Sequence, residues 1–101
     1  MSMTLDSIEQ LLQKAEVTAV KEYGPNTFIV EYKADGHDLE FTRFGKEGNF
    51  YSISVKKDNE YKENLTLALP GYDRGQTQTH GHLGLKKMFD LYARPFFEDA
   101  S

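Results

Sequence analysis

The dipeptide Asp35-Gly36 constrains this chain most, because it separates two segments, residues 27–34 and 37–44, that alternate in polarity. Alternation with a period of two is typical of a half-buried β-strand. A type I′ turn needs positive φ at both central residues, and Asp-Gly is among the pairs that best tolerate it. The pattern therefore predicts a β-hairpin joined by a two-residue turn.

A two-residue turn fixes the register of the hairpin, so each cross-strand pair can be predicted. The expected core face carries the pairs Phe28–Arg43, Val30–Phe41 and Tyr32–Leu39. On the opposite face Lys33 meets Asp38, and Glu31 meets Glu40. Two carboxylates directly across a sheet repel each other, so this pair requires a nearby cation. A slip of one residue would bury the acids, which excludes the other register.

Three further segments read as strands of one antiparallel β-meander. Residues 17–23 form a weak strand, residues 49–57 alternate cleanly, and leucines recur at every second position in residues 65–69. A three-residue turn, Asp58-Asn59-Glu60, would place Tyr51 and Ile53 opposite Leu67 and Leu65. A two-residue turn would turn those leucines to the wrong face, so the odd-length turn is predicted.

Two amphipathic helices flank the strands. The first runs from Leu5 to about Ala15, capped by Thr4 or Asp6, and the second from about His82 to Arg94. Residues 1–101 are short enough for one domain. We expect an α+β fold: an N-terminal helix, an antiparallel meander of about five strands, and a C-terminal helix packed on the sheet. The edge strand could pair with a partner strand or with a second copy in a homodimer.

Composition excludes several kinds of protein. The chain has no Cys, so disulfide scaffolds, thiolate metal sites and cysteine nucleophiles are excluded. Its net charge is −4, and residues 1–50 hold five basic against nine acidic groups. This balance argues against a duplex-DNA binder. No apolar run is long enough for a membrane span and the start lacks a signal peptide, so a cytoplasmic protein is expected.

The segment of residues 71–84 is rich in glycine and polar residues and directly precedes a predicted helix. Backbone N–H groups at a helix start attract anions, so the segment is a candidate site for a nucleotide-like anion. Its candidate ligand-binding residues are Arg74, Thr77, Thr79, His80 and His82. The alternative is a plain surface loop in which Thr79 caps the helix. His80 and His82 are also two residues apart, which supplies half of a zinc site and no more.

The outer face of the predicted sheet is a candidate protein-binding surface. Its candidate residues are Ile29, Glu31, Glu40, Phe44 and Phe50. Exposed aromatic side chains on a sheet indicate a contact surface, and the surrounding acids favour a protein over RNA. The alternative is that one helix crosses this face and forms a second layer.

Three functional hypotheses follow. The first is a small non-catalytic binding protein, of the inhibitor, immunity or phage anti-defence type, that acts through protein–protein contact. The second is a sequestering protein or receptor for an anion bound at residues 71–84. The third is a small metal protein or enzyme centred on His80 and His82. No nucleophile elbow surrounds Ser52 or Ser54, so catalysis is not expected, and neither a cofactor nor a resident metal is predicted.

Overall fold

The computed structural model describes residues 3–23, 27–44, 50–68, 80–81 and 84–96. The elements in chain order are α1 (Leu5–Gln13), β1 (Glu16–Tyr23), β2 (Thr27–Ala34), β3 (His37–Phe44), β4 (Phe50–Lys57), β5 (Glu60–Ala68), β6 (His80–Gly81) and α2 (Leu85–Tyr92), followed by a 3-10 turn at Arg94–Phe96. The strands form one antiparallel sheet in the order β1-β2-β3-β4-β5-β6. The predicted five-strand meander is confirmed, and β6 adds a short sixth strand beside Leu67 and Ala68.

The β2–β3 hairpin has the predicted turn and register. Asp35 and Gly36 have φ of 50° and 75°, the left-handed conformation that a type I′ turn needs. Glu31 lies opposite Glu40, and Val30 lies opposite Phe41. The turn chemistry and the alternation therefore agree on one pairing.

The β4–β5 hairpin has the predicted register but a different turn. The three-residue turn is wrong: Lys57 pairs with Glu60 across a two-residue turn, in which Asp58 and Asn59 have φ of 54° and 63°. A β-bulge then follows, because Lys56 pairs with Tyr61 but Val55 pairs with Glu63. The extra residue of the bulge, Lys62, shifts β5 by one position and returns its leucines to the core. As predicted, Ile53 lies opposite Leu65 and Tyr51 opposite Leu67.

The core lies between one face of the sheet and both helices. Phe89 of α2 packs at its centre, with ring centroids 5.8 Å from Phe41 and 5.5 Å from Tyr51. The buried cluster also contains Ile8, Leu11 and Leu12 of α1. Phe28 was expected in this core but is only half-buried, because it lies near the end of β2 with the guanidinium of Arg43 over its ring. The α+β class with helices on one face is thus confirmed.

Both helices begin and end at slightly different residues from those predicted. Thr4, not Asp6, caps α1, because its side chain accepts from the Ser7 N–H while the Ser7 hydroxyl accepts from the Thr4 N–H. The helix ends at Gln13, two residues before Ala15. Helix α2 begins at Leu85 with Gly84 at the N-cap, so Thr79 is not its cap.

The predicted start near His82 is wrong because Gly81 is paired with Leu67 in β6 and is extended. Helix α2 also stops at Tyr92, before the 3-10 turn at Arg94–Phe96. Neither α1 nor α2 has the length and apolar character that crossing a bilayer requires.

A chain of hydrogen bonds joins the sheet to the two helices. The buried Tyr32 hydroxyl donates to the Tyr92 carbonyl oxygen of α2 at 2.9 Å. The Tyr92 hydroxyl donates to the Glu9 carboxylate of α1, also at 2.9 Å. Burial raises the pKa of Tyr32 above its ordinary value of 10.0. These two bonds fix how both helices sit on the sheet.

We expect Tyr32→Phe to lower the free energy of unfolding by about 1 kcal/mol, since it removes one buried hydrogen bond. The folded state keeps the Tyr32 proton above pH 10, where the unfolded chain loses it. The stability of the native protein should therefore fall as pH rises above about 10. That fall should be smaller in Tyr32→Phe. Urea unfolding at pH 7 and above pH 10 measures both effects. Tyr23→Phe, at a tyrosine 58% exposed, is the control, and equal profiles for all three proteins would contradict the prediction.

Deletion of Lys62 should remove the bulge and leave Leu65 and Leu67 in the core. A two-residue turn without a bulge still pairs Lys56 with Tyr61, Val55 with Glu63 and Ile53 with Leu65. Thermal unfolding followed by circular dichroism should therefore show a deletion variant that folds with a stability close to the native one. Lys62→Ala, which keeps the bulge, is the control. A loss of about 1.5–3 kcal/mol for each leucine would contradict the prediction, because it would mean that the leucines had left the core.

Candidate functional site

The face of the sheet opposite the helices is here called the open face. From the register, it carries Lys21, Ile29, Glu31, Lys33, Asp38, Glu40, Thr42, Phe44, Phe50, Ser52, Ser54 and Lys56. Both described helices pack on the other side, so the alternative in which one of them crosses this face is wrong. All five candidate partner-binding residues, Ile29, Glu31, Glu40, Phe44 and Phe50, share the open face.

Two carboxylates lie at the centre of the open face. Glu31 and Glu40 are direct cross-strand partners, so their negative charges are close. The required cation is Lys21 of β1, whose Nζ lies 2.7 Å from a Glu31 carboxylate oxygen. The hydrogen bond that Lys21 donates to Glu31, together with the negative charge of Glu31 and a smaller contribution from Glu40, raises the pKa of Lys21. Neither a hydrogen bond nor an ion pair joins Glu40 to any side chain of the described residues.

A shallow cavity of about 220 Å³ opens beside this acidic pair. Its polar lining consists of Thr18, Glu31, Asp38, Glu40, Ser54, Lys56, Asn59 and Tyr61. The ammonium of Lys56 lies 5.0 Å from the centroid of the Tyr61 ring, a cation–π distance. The cavity therefore presents acceptor oxygens at one side and a cation held over an aromatic ring at the other.

An aromatic pair occupies one end of the open face. Phe44 and Phe50 are cross-strand partners with ring centroids 4.4 Å apart and an interplanar angle of 39°. Both are half-buried. Arg43 precedes Phe44 in the same strand but faces the opposite side, where it pairs with Tyr51. The open face thus combines an acidic centre with an aromatic end.

The candidate anion site falls largely outside the described residues. Arg74, Thr77, Thr79 and His82 all lie there, and for His80 only the backbone is described, as part of β6. Its ligand-binding role stays a prediction. Among the residues that are described, no three His, Asp or Glu side chains come together as a metal-ligand set.

Lys21, Lys56 and Tyr61 contribute to the open face but are not among the candidate site residues predicted from sequence. The register of Lys21 was unpredictable because β1 has weak alternation and a bulge between Val17 and Ala19. Tyr61 comes opposite Lys56 only because the β4–β5 turn has two residues. A turn assignment that recognised Asp58-Asn59 as a type I′ pair would have found it.

Comparisons with known proteins give no relative: no family model, no curated protein and no solved structure matches this chain.

We expect Glu40→Gln to raise the free energy of unfolding by a few tenths of a kcal/mol at low ionic strength, because it removes a like-charge cross-strand pair. The gain should vanish in 1 M NaCl, where the Debye length is about 3 Å. Urea unfolding at both salt concentrations checks this. Glu22→Gln on β1 is a matched control with the same charge change. A lower stability for Glu40→Gln at low salt would show that the carboxylate has a stabilising partner.

Proposed function

We propose that this protein is a non-catalytic binding protein that recognises a basic protein surface through its open face. The observation that carries the proposal is the carboxylate of Glu40. It lies beside a second carboxylate at the centre of a sheet face that neither described helix covers, and it forms no ion pair with a cation among the described residues. A Lys or Arg side chain of a partner would relieve the repulsion between Glu31 and Glu40. It could donate hydrogen bonds to both carboxylates.

The charges next to Glu40 also favour a positively charged partner. Within the described part of the chain, the cation that pairs with the acidic centre is Lys21, which already bonds to Glu31 at 2.7 Å. Lys56 is held over the Tyr61 ring. Glu40 therefore keeps a negative potential that would steer a basic partner and align it.

The aromatic end of the face supports an apolar contact beside the charged one. Large aromatic side chains in a polar setting are enriched at protein interfaces and tend to carry their binding energy. Phe44 and Phe50 already pack against each other at an interplanar angle of 39°, so little side-chain entropy is lost when a partner covers them. A partner with an aliphatic or aromatic residue next to its Lys or Arg would match both features.

The size of the open face also suits a protein. Five strands of about eight residues cover roughly 600 Å², from a strand spacing near 4.8 Å and a rise near 3.3 Å per residue. A typical specific interface buries about 800 Å² on each partner. The face alone thus supplies most of one partner's share. A protein that acts in this way works by occupying its partner, as an inhibitor or immunity protein does.

The proposal is tested by capture of partners from a cell lysate, followed by zero-length carbodiimide cross-linking. This reagent joins a carboxylate to an amine in direct contact, so it should link Glu40 or Glu31 to a lysine of the captured partner. Glu40→Lys should weaken capture by about tenfold or more, since it opposes like charges within the interface. Phe44→Ser should weaken it through loss of the aromatic contact.

The matched control is Glu22→Lys, which makes the same charge change on β1 at a position that pairs with Phe28 and points away from the open face. It should leave capture unchanged. Equal capture by the native protein, Glu31→Lys and Glu40→Lys would refute the surface. Cross-links confined to carboxylates outside the open face would refute it as well.

A further inference from the structure

A second cavity, of about 190 Å³, lies on the helix side of the sheet and is independent of the open face. It is lined by Arg43, Tyr51, Lys86, Phe89, Asp90 and Arg94. Arg43 and Tyr51 are cross-strand neighbours on β3 and β4. The other four residues come from α2 and the turn that follows it. Packing of Phe89 on Tyr51, with ring centroids 5.5 Å apart, brings the two sets together.

The lining of this cavity is strongly cationic. It contains two guanidinium groups and one ammonium against the carboxylate of Asp90. That carboxylate lies 3.1 Å from the Lys86 Nζ and 3.4 Å from an Arg94 guanidinium nitrogen. Asp90 thus holds two of these cations along one side of α2. No described carboxylate pairs with Arg43, whose guanidinium carbon lies 5.5 Å from the Phe28 ring centroid.

An unused hydroxyl group lies in the same cavity. Tyr51 is only 4% exposed, yet within the described part of the chain its hydroxyl has no hydrogen-bond partner. The other core tyrosine, Tyr32, donates to a backbone carbonyl. No side-chain polar atom of the described residues is both fully buried and without a hydrogen-bond partner, so the Tyr51 hydroxyl keeps contact with solvent. Because Tyr51 lines the cavity, its hydroxyl is available to donate to a ligand bound there.

We propose that this cavity binds the phosphate group of a small molecule. Phosphate offers several acceptor oxygens and about two negative charges, which matches guanidinium donors, an ammonium and a hydroxyl. Arg43 supplies a forked pair of donors, Lys86 and Arg94 supply charge from the helix side, and Tyr51 donates from the floor. A carboxylate has one charge and two oxygens, so it would use fewer of these groups.

Inorganic phosphate is the simplest probe of this site. We expect its titration at constant ionic strength to shift the backbone amide NMR signals of residues 43, 51 and 86–94 in a saturable manner. Sodium acetate should bind more weakly. Absence of saturation, shifts confined to other residues, or acetate binding as tight as phosphate binding would each overturn the proposal.

Variants separate a specific site from general attraction to positive charge. Arg43→Gln and Lys86→Gln should each weaken phosphate binding by about tenfold, because each removes a charge-assisted hydrogen bond. Lys87→Gln is the matched control: it makes the same charge change on α2, but Lys87 lines a different groove, with Leu5 and Glu9. An equal loss in Lys86→Gln and Lys87→Gln would overturn the site.

Tyr51→Phe keeps the aromatic ring and removes only the hydroxyl. It should weaken phosphate binding several-fold and leave the phosphate-free stability at its native value, since the hydroxyl has no partner among the described residues. This variant keeps the test decisive even if Arg43→Gln fails to fold. Unchanged phosphate affinity in Tyr51→Phe would overturn the role of the hydroxyl as a ligand.

Discussion

The alternation of side chains along the strands is the constraint on which the rest of this structure depends. A strand exposes successive side chains on opposite faces, so each apolar residue of the meander commits its neighbours to the other side. The apolar face must be covered, and Phe89, Ile8 and Leu12 of the helices cover it. The charged residues between the apolar ones are thereby gathered on the open face. Both the core and the acidic pair result from this single periodicity.

The degree to which the fold could be predicted differs between the two hairpins. Asp35-Gly36 dictates both turn length and register, so every pair of β2 with β3 follows from the sequence. In the β4–β5 hairpin, the spacing of Leu65 and Leu67 revealed which residues face the core. It did not reveal where the unpaired residue lies, because a longer turn and a bulge at Lys62 give the same register. The hydrophobic pattern shows which residues face the core, but it does not show whether a longer turn or a bulge puts them there.

The candidate sites also differ in how far the sequence predicts them. Glu31 and Glu40 were predictable because one turn places them opposite each other. The cationic cavity was not, because Arg43 and Lys86 are far apart in sequence and meet only through packing of α2 on β4. Their charges look like ordinary solvated surface in the sequence. The anion site predicted at residues 71–84 depends on composition and on the position of the segment before a helix, and it stays a prediction because most of its residues lie outside the described part of the chain.

The bulge in β1 affects how the protein behaves at high concentration. A straight edge strand is a template on which copies of a protein can add to one another without limit. Here the register shifts between Val17 and Ala19, and Lys21 and Glu22 follow within the same strand. An approaching strand would lose pairing at the shift and bring charges together at the edge. The molecule can therefore present a broad sheet face that neither described helix covers, while its β1 edge disfavours the addition of further strands.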